Sequence, residues 1–274
     1  MKVIFKKAYL IIAFLQFQFA LAGTVDTVSI FSNAMHKEIR CIVIKPGSYK
    51  KKTNKYPVVY LLHGYGGWYS NWIIREPALK TYADTYQAII VCPDGNQSSW
   101  YFDSPVDTSY KYETHVATEV VNYIDNHYRT IADKDHRAIT GLSMGGHGAL
   151  FLALRHPDVF GAAGSMSGGV DLYESKNSFD IIKRIGDTVT HAREWHDMTV
   201  INLIEKYTAT PVKIYFDCGT KDIFIKGNRL LHQKMLALNM QHTYTERPGQ
   251  HNWDYWKNAL PYHLLFFSVF FNKQ

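Results

Sequence analysis

Hydrophobic positions along this chain change their period several times, and the changes mark its elements. From Gly23 to about Lys45, apolar and polar residues alternate in two short runs, Thr24-Val25-Asp26-Thr27-Val28-Ser29-Ile30 and Ile39-Arg40-Cys41-Ile42-Val43-Ile44. A period of two with β-branched residues predicts two strands, paired as a hairpin that closes near Asn33-Ala34. Pro46 to Lys55 is polar and lysine-rich and reads as an exposed loop. The next apolar runs are continuous: Tyr56–Leu62, Ala88–Cys92, the short Ala138-Ile139, the small-residue run Ala162–Gly168, and Pro211–Gly219. Continuous runs of this length fit strands buried on both faces. Thr243–Glu246 reads as a last strand.

Between these runs the period lengthens. Val116, Val120, Val121, Ile124 and Tyr128 recur at helical spacing, predicting a crossover helix over Tyr112–Tyr128. Trp72–Tyr86 reads as helix or loop, and Met144–Arg155, Phe224–Leu238 and Asp254–Phe271 as helices. The stretch 170–207 breaks the rhythm. It is charged, with scattered apolar residues and no strand pattern, and is expected to be a helical insertion over the edge of the sheet. Strands alternating with helices predict an α/β fold: a mostly parallel central sheet, helices on both faces, right-handed crossovers. Ligands in such sheets bind beyond the carboxyl ends of the strands. Loops rich in Gly, Pro, Asp or aromatic residues follow Leu62, Val91, Thr140, Cys218 and Glu246, all at such ends, so the site is expected along that one edge.

Composition narrows the class. The chain has 274 residues, 46% hydrophobic and 20% charged, with no repeat. That suits one globular core. The start differs. Lys2, Lys6 and Lys7 precede an uncharged apolar run, Ala8–Ala22, that ends Ala20-Leu21-Ala22. This is the layout of a secretory signal peptide, 1–22, cleaved after Ala22. It predicts a secreted or periplasmic protein, with 23–274 as a single domain and no stable membrane span once the signal is removed. Cleavage lowers the net charge from +6 to +3, with 27 basic against 24 acidic residues. A balance that small does not point to a nucleic-acid partner, no basic patch or stripe dominates, and none is expected. The apolar Leu264–Phe271 is far too short to span a membrane and is expected to pack on the sheet. Cys41, Cys92 and Cys218 are widely spaced in strand-like runs; buried free thiols are expected, with a single disulfide as the alternative. No Cys-x-x-Cys or other metal-type grouping occurs.

The chemistry centres on Gly141-Leu142-Ser143-Met144-Gly145. In Gly-x-Ser-x-Gly the serine sits on a tight strand-to-helix corner, so the residues two before and two after must be small. A serine hydroxyl is a weak nucleophile and needs a base, oriented in turn by an acid. His251 follows the turn Pro248-Gly249, and Asp222 follows Gly219, giving the order nucleophile, acid, histidine. Asp217 is the alternative acid, although it falls inside a strand run. The backbone N–H groups of Met144 and of Tyr65, in His63-Gly64-Tyr65-Gly66-Gly67, would form an oxyanion hole. His63 and His147 are expected to hold loops. Trp68, Trp100, Tyr101 and Trp253 form an expected aromatic rim for substrate, and Trp256 is expected to pack.

These residues also carry a resemblance. His63-Gly64-Tyr65-Gly66-Gly67, Pro93-Asp94-Gly95, Trp100-Tyr101-x-Asp103-Ser104, Tyr112-Glu113-Thr114, Gly141–Gly146, His156-Pro157-Asp158-x-Phe160 and Gly249-x-His251-x-Trp253-x-x-Trp256 resemble the esterase D-like α/β-hydrolases over about residues 37–270. That group contains feruloyl and acetylxylan esterases, S-formylglutathione hydrolases and mycolyltransferases. The resemblance implies Ser143, Asp222 and His251 as the triad, Tyr65 and Met144 as the hole, an acyl-serine intermediate released by water, and no metal or cofactor. The expected function is a secreted serine carboxylesterase releasing feruloyl or acetyl groups from plant-type poly- or oligosaccharides. Alternatives on the same fold are an S-formylglutathione hydrolase-like thioesterase and an acyltransferase. From a different class, the alternative is a non-catalytic binding protein. The partner expected is a small ester or acylated oligosaccharide.

Overall fold

The computed structural model describes residues 23–50 and 53–273. The expected signal peptide lies outside the described residues. Eight strands form one sheet: β1 (Thr24–Ser32), β2 (Lys37–Lys45), β3 (Val58–Leu62), β4 (Ile89–Pro93), β5 (Arg137–Gly141), β6 (Ala162–Met166), β7 (Lys213–Gly219) and β8 (Thr243–Arg247). Their order is β1-β2-β4-β3-β5-β6-β7-β8. The β1–β2 hairpin joins β4 antiparallel, and every pairing from β4 to β8 is parallel.

The helices are α1 (Asn71–Arg75), α2 (Leu79–Tyr86), α3 (Tyr112–Thr114), α4 (Val121–His127), α5 (Met144–Arg155), α6 (Ile181–Ile185), α7 (Ala192–Met198), α8 (Val200–Leu203), α9 (Ile225–Ala237) and α10 (Trp253–Phe271). The predicted crossover helix over 112–128 is present but is not uniform. Between α3 and α4 it widens into a π-helical stretch, His115–Val120, with His115 Nδ1 2.8 Å from Glu119 Oε2.

Strand alternation decides which side chain meets which layer. On β3, Val58, Tyr60 and Leu62 join the core beneath α4, α5 and α9. Val59 and Leu61 point the other way, into the core shared with α2 and α10. Both faces are therefore dry, which is why β3 and β4 read as continuous apolar runs. Each fully buried Leu, Val or Phe contributes about 1.5–3 kcal/mol. In α10, Leu264, Phe267 and Phe271 are buried against the sheet, whereas Leu265 and Val269 face outward. Among the described residues no helix is long and apolar enough to cross a membrane. Cys41, Cys92 and Cys218 are all buried free thiols.

The segment 170–207, inserted between β6 and β7, contains α6, α7, α8 and short 3-10 turns, and no strand among the described residues. Trp195, Ile181 and Ile185 anchor it in the same core as α5. It lies at the carboxyl ends of the strands rather than off the side of the sheet, because Phe179 stacks edge-on against Tyr65, which follows β3.

Candidate active site

The loops after β3, β5, β7 and β8 converge. Ser143 stands between β5 and α5 with φ +56° and ψ −117°, a conformation that L-residues rarely adopt. Its neighbours two before and two after are held to glycine by backbone contacts. A Cβ on Gly141 would lie 2.6 Å from the Gly145 carbonyl oxygen, and one on Gly145 would lie 2.6 Å from that of His63. Only glycine at both places lets the corner close against β3. Met144 is the first residue of α5, so its N–H has no partner within the helix. Tyr65 lies in the turn after β3, where Gly66 N–H donates to the Gln97 carbonyl and Gly67 N–H to that of Gly64.

Ser143 Oγ–H donates to His251 Nε2 across 2.9 Å. His251 Nδ1–H donates to both oxygens of Asp222, at 3.0 and 2.9 Å. Asp222 is buried, and its Oδ1 also accepts from Phe224 N–H at 2.8 Å. The imidazole is wedged edge-on between Phe224, at 5.0 Å, and Trp256, at 4.9 Å. The acid loop and the histidine loop are joined through their backbones: Thr220 N–H to the Arg247 carbonyl and Lys221 N–H to that of Gly249, both at 2.9 Å. A nucleophile, a base and an orienting carboxylate in this geometry can carry out acyl transfer.

Asp217, the alternative acid, is fully buried and turned away from the imidazole. Its carboxylate accepts from Arg247, Tyr255 and His263 instead. His63 and His147 hold loops, as expected. His63 Nε2 accepts from Gly95 N–H at 2.8 Å, and Nδ1–H donates to the Gly64 carbonyl at 2.9 Å. His147 Nε2–H donates to the Met198 carbonyl at 2.8 Å. Burial pushes its pKa down to about 4, so it is neutral near pH 7.

Beside Ser143 runs a groove of about 470 Å³, within the range of small-molecule sites. Trp68 and Trp253 line it. Trp68 is 48% exposed, and its Nε1–H donates to Ser70 Oγ at 2.7 Å, which fixes the ring. Trp256, expected to pack, is 93% enclosed yet reaches the groove wall. Trp100 and Tyr101 do not form part of the rim. Both are buried under the floor of the site. Trp100 Nε1–H donates to the Phe179 carbonyl at 3.0 Å, and Tyr101 O–H to that of His63 at 3.0 Å. Both residues have positive φ, and this turns their rings inward: Tyr101 fills the space left by Gly95 and Gly148. A polar loop with three consecutive aromatics has the composition of a rim, yet its aromatics support the loop after β3 and the insertion.

Sequence reasoning missed Phe179, Asn71 and Arg75 in the groove wall. Phe179 sits in the aperiodic insertion, beside Asp180, whose Oδ2 accepts from Tyr65 O–H at 3.1 Å. Arg75 lies over the Trp253 ring at 5.9 Å. No local pattern marks these residues. Among the described residues no group of three or more His, Cys, Asp or Glu could hold a metal ion.

A family model described as a putative esterase matches residues 32–267. A ferulic acid esterase of known structure aligns with a TM-score of 0.80 at 31% identity, covering 92% of this chain and 99% of that one. An acetyl esterase from Caldicellulosiruptor saccharolyticus is 25% identical over 214 residues, which is 74% of this chain and 79% of that protein. An esterase from Mycobacterium tuberculosis is 27% identical over 235 residues, 76% of this chain. This chain spans 51%, about half, of that relative's length.

Proposed function

Because the chain belongs to this esterase family, we propose that it hydrolyses carboxylic esters through an acyl-serine intermediate on Ser143, and that its substrates are feruloyl or acetyl esters of plant-type saccharides. The observation that carries this is the hydrogen-bonded run Ser143–His251–Asp222, with 2.9 Å links, at an aromatic groove. His251 Nε2 takes the Ser143 proton as Oγ bonds to the ester carbonyl carbon. The carbonyl π electrons move onto oxygen, which the N–H groups of Tyr65 and Met144 receive. One such donor is worth about 2.7–4 kcal/mol in the transition state. The intermediate collapses, the C–O bond to the alcohol breaks, and the imidazolium returns its proton to the leaving oxygen. Water, deprotonated by His251, then attacks the acyl-serine and releases the acid, and Ser143 regains its proton. Asp222 orients the imidazole and balances its charge.

The saccharide reading draws on the groove's fixed, exposed Trp68 and its neighbour Trp253, which offer flat apolar faces to a sugar or a phenolic ring. It also draws on the ferulic acid and acetyl esterases among the relatives. The basic and apolar leader, 1–22, is proposed to export the protein. A panel of methyl ferulate, acetylated xylan, p-nitrophenyl acetate and S-formylglutathione tests the assignment. Activity on the first three, lost about a millionfold in Ser143→Ala, is the expected result. Activity confined to S-formylglutathione would reject the saccharide substrate, and full activity of Ser143→Ala would reject the mechanism. Trp68→Ala is expected to raise KM several-fold on acetylated xylan and to leave it unchanged on p-nitrophenyl acetate.

A further inference from the structure

Asp217 lies near the end of β7, five residues before Asp222, and is fully buried. An enclosed carboxylate is costly unless it is paired and hydrogen-bonded. This one is satisfied on both oxygens. Arg247 Nη2–H donates to Oδ2 at 2.7 Å, and His263 Nε2–H donates to the same oxygen at 3.0 Å. Tyr255 O–H donates to Oδ1 at 2.9 Å. Thr140 O–H, from the strand leading to Ser143, donates to His263 Nδ1 at 2.9 Å.

Two of these partners occupy particular places in the chain. Arg247 is the last residue of β8, and Tyr255 lies in the first turn of α10. Between them runs the segment that presents His251. Both ends of that segment are thus tied to one anionic point inside the sheet. The tie is close packed: the Tyr255 ring lies 2.4 Å from where a Cβ on Gly249 would stand, and Gly249 has φ +152°. Burial, reinforced by the Asp217 carboxylate, holds the Tyr255 phenol protonated and therefore a donor.

We propose that Asp217 is a positioning residue for His251, fastening the segment that carries the imidazole through Arg247 on one side and Tyr255 on the other. β7 and the loop that follows it then supply two carboxylates with different tasks. Asp222 orients the ring directly, and Asp217 fixes the backbone that delivers it. A buried ion pair is weak evidence for stability in itself. What this one supplies is a single geometry. A displacement of about 1 Å in a reacting group costs about a hundredfold in rate, so holding the 2.9 Å contact between His251 and Ser143 matters more for rate than for folding.

The proposal rests on His251 being the general base, and the experiment separates the two. Tyr255→Phe removes only the hydroxyl and keeps the ring against Gly249. Asp217→Asn removes the charge. The readouts are kcat and KM on p-nitrophenyl acetate, the melting temperature, and the downfield proton resonance of the His251 Nδ1–H bond to Asp222. The expected result is a kcat about tenfold lower in Tyr255→Phe and about a hundredfold lower in Asp217→Asn. KM should stay within about twofold, and the resonance should be broadened or lost. If Asp217→Asn fails to fold, Tyr255→Phe and Arg247→Lys carry the test. A kcat unchanged within about threefold, with the resonance intact and only the melting temperature lowered, would make the network purely structural and overturn the proposal. Retained activity in His251→Ala and Ser143→Ala would instead overturn the underlying mechanism.

Discussion

Asp222→Asn separates the two candidate acids. Asp222 presents Oδ1 to Phe224 N–H at 2.8 Å and both oxygens to His251 Nδ1–H, at 3.0 and 2.9 Å. An asparagine fits the same space without the charge, and one oxygen becomes an NH2 group. The Phe224 N–H requires an acceptor, so the amide oxygen takes the Oδ1 place and the NH2 takes the place of Oδ2. Two donors then face each other across 2.9 Å. The imidazole relieves this by moving its proton to Nε2, where it can no longer accept the proton of Ser143. The amide oxygen at the Oδ1 place still lies 3.0 Å from Nδ1, but it is neutral and shared with Phe224 N–H, and water cannot reach in to relieve the clash, since Asp222 is 4% exposed. The corresponding substitution in a Ser-His-Asp enzyme lowers kcat about 10⁴-fold. At about 1.36 kcal/mol per decade, that is about 5 kcal/mol of transition-state stabilisation. The assay is kcat for p-nitrophenyl acetate near neutral pH, with circular dichroism to establish that the variant is folded. A folded Asp222→Asn protein retaining more than about a tenth of wild-type kcat would refute the argument. A deeper loss in Asp217→Asn than in Asp222→Asn would return the role of acid to Asp217.

Two further outcomes test the frame around the site. In Gly145→Ala the new Cβ would meet the backbone carbonyl oxygens of His63 and Leu62 at 2.6 and 2.7 Å, and neither can move without shifting the loop after β3. Overpacking of this kind costs about 2–3 kcal/mol, a fall of roughly 4–12 °C in melting temperature; differential scanning fluorimetry showing no fall would refute it. His147 has a folded-state pKa of about 4, below its unfolded value near 6.5, so the unfolded chain binds more protons between the two. Its contribution is present above about pH 6.5 and is lost as pH falls toward 4, about 2 kcal/mol of it between pH 7 and pH 5. Denaturant melts of wild type and His147→Gln at the two pH values should show the wild type losing more, and equal losses would refute the assignment.

Much of the fold was legible because burial leaves a one-dimensional trace. A strand enclosed on both faces is largely apolar, so β3 and β4 stood out in the sequence. A hairpin with one wet face must alternate, as Thr24–Ile30 does. The corner at Ser143 was legible for a steric reason: Gly141 and Gly145 are required by backbone approaches of 2.6 Å that no side chain would survive. Chain order and strand ends also pointed to Asp222 and His251, because parallel connections bring all carboxyl ends to one edge.

Other features depend on contacts between residues far apart in sequence, and no local pattern encodes those. Asp217 and Asp222 are both carboxylates near the end of one strand. Only the packing of α10, which brings Tyr255 and His263 to Asp217, turns one inward and leaves the other to His251. Trp100 and Tyr101 had the composition of a substrate rim, but their positive φ angles and the space over Gly95 and Gly148 direct them into the core. Phe179 entered the groove from an aperiodic segment that takes its shape from Tyr65 and Trp100. The sequence by itself determined the sheet, its edge and the residue types gathered there, since these follow from periodicity and chain order. The tertiary structure alone decided which of those side chains face the groove and which hold it from behind, since that depends on non-local packing.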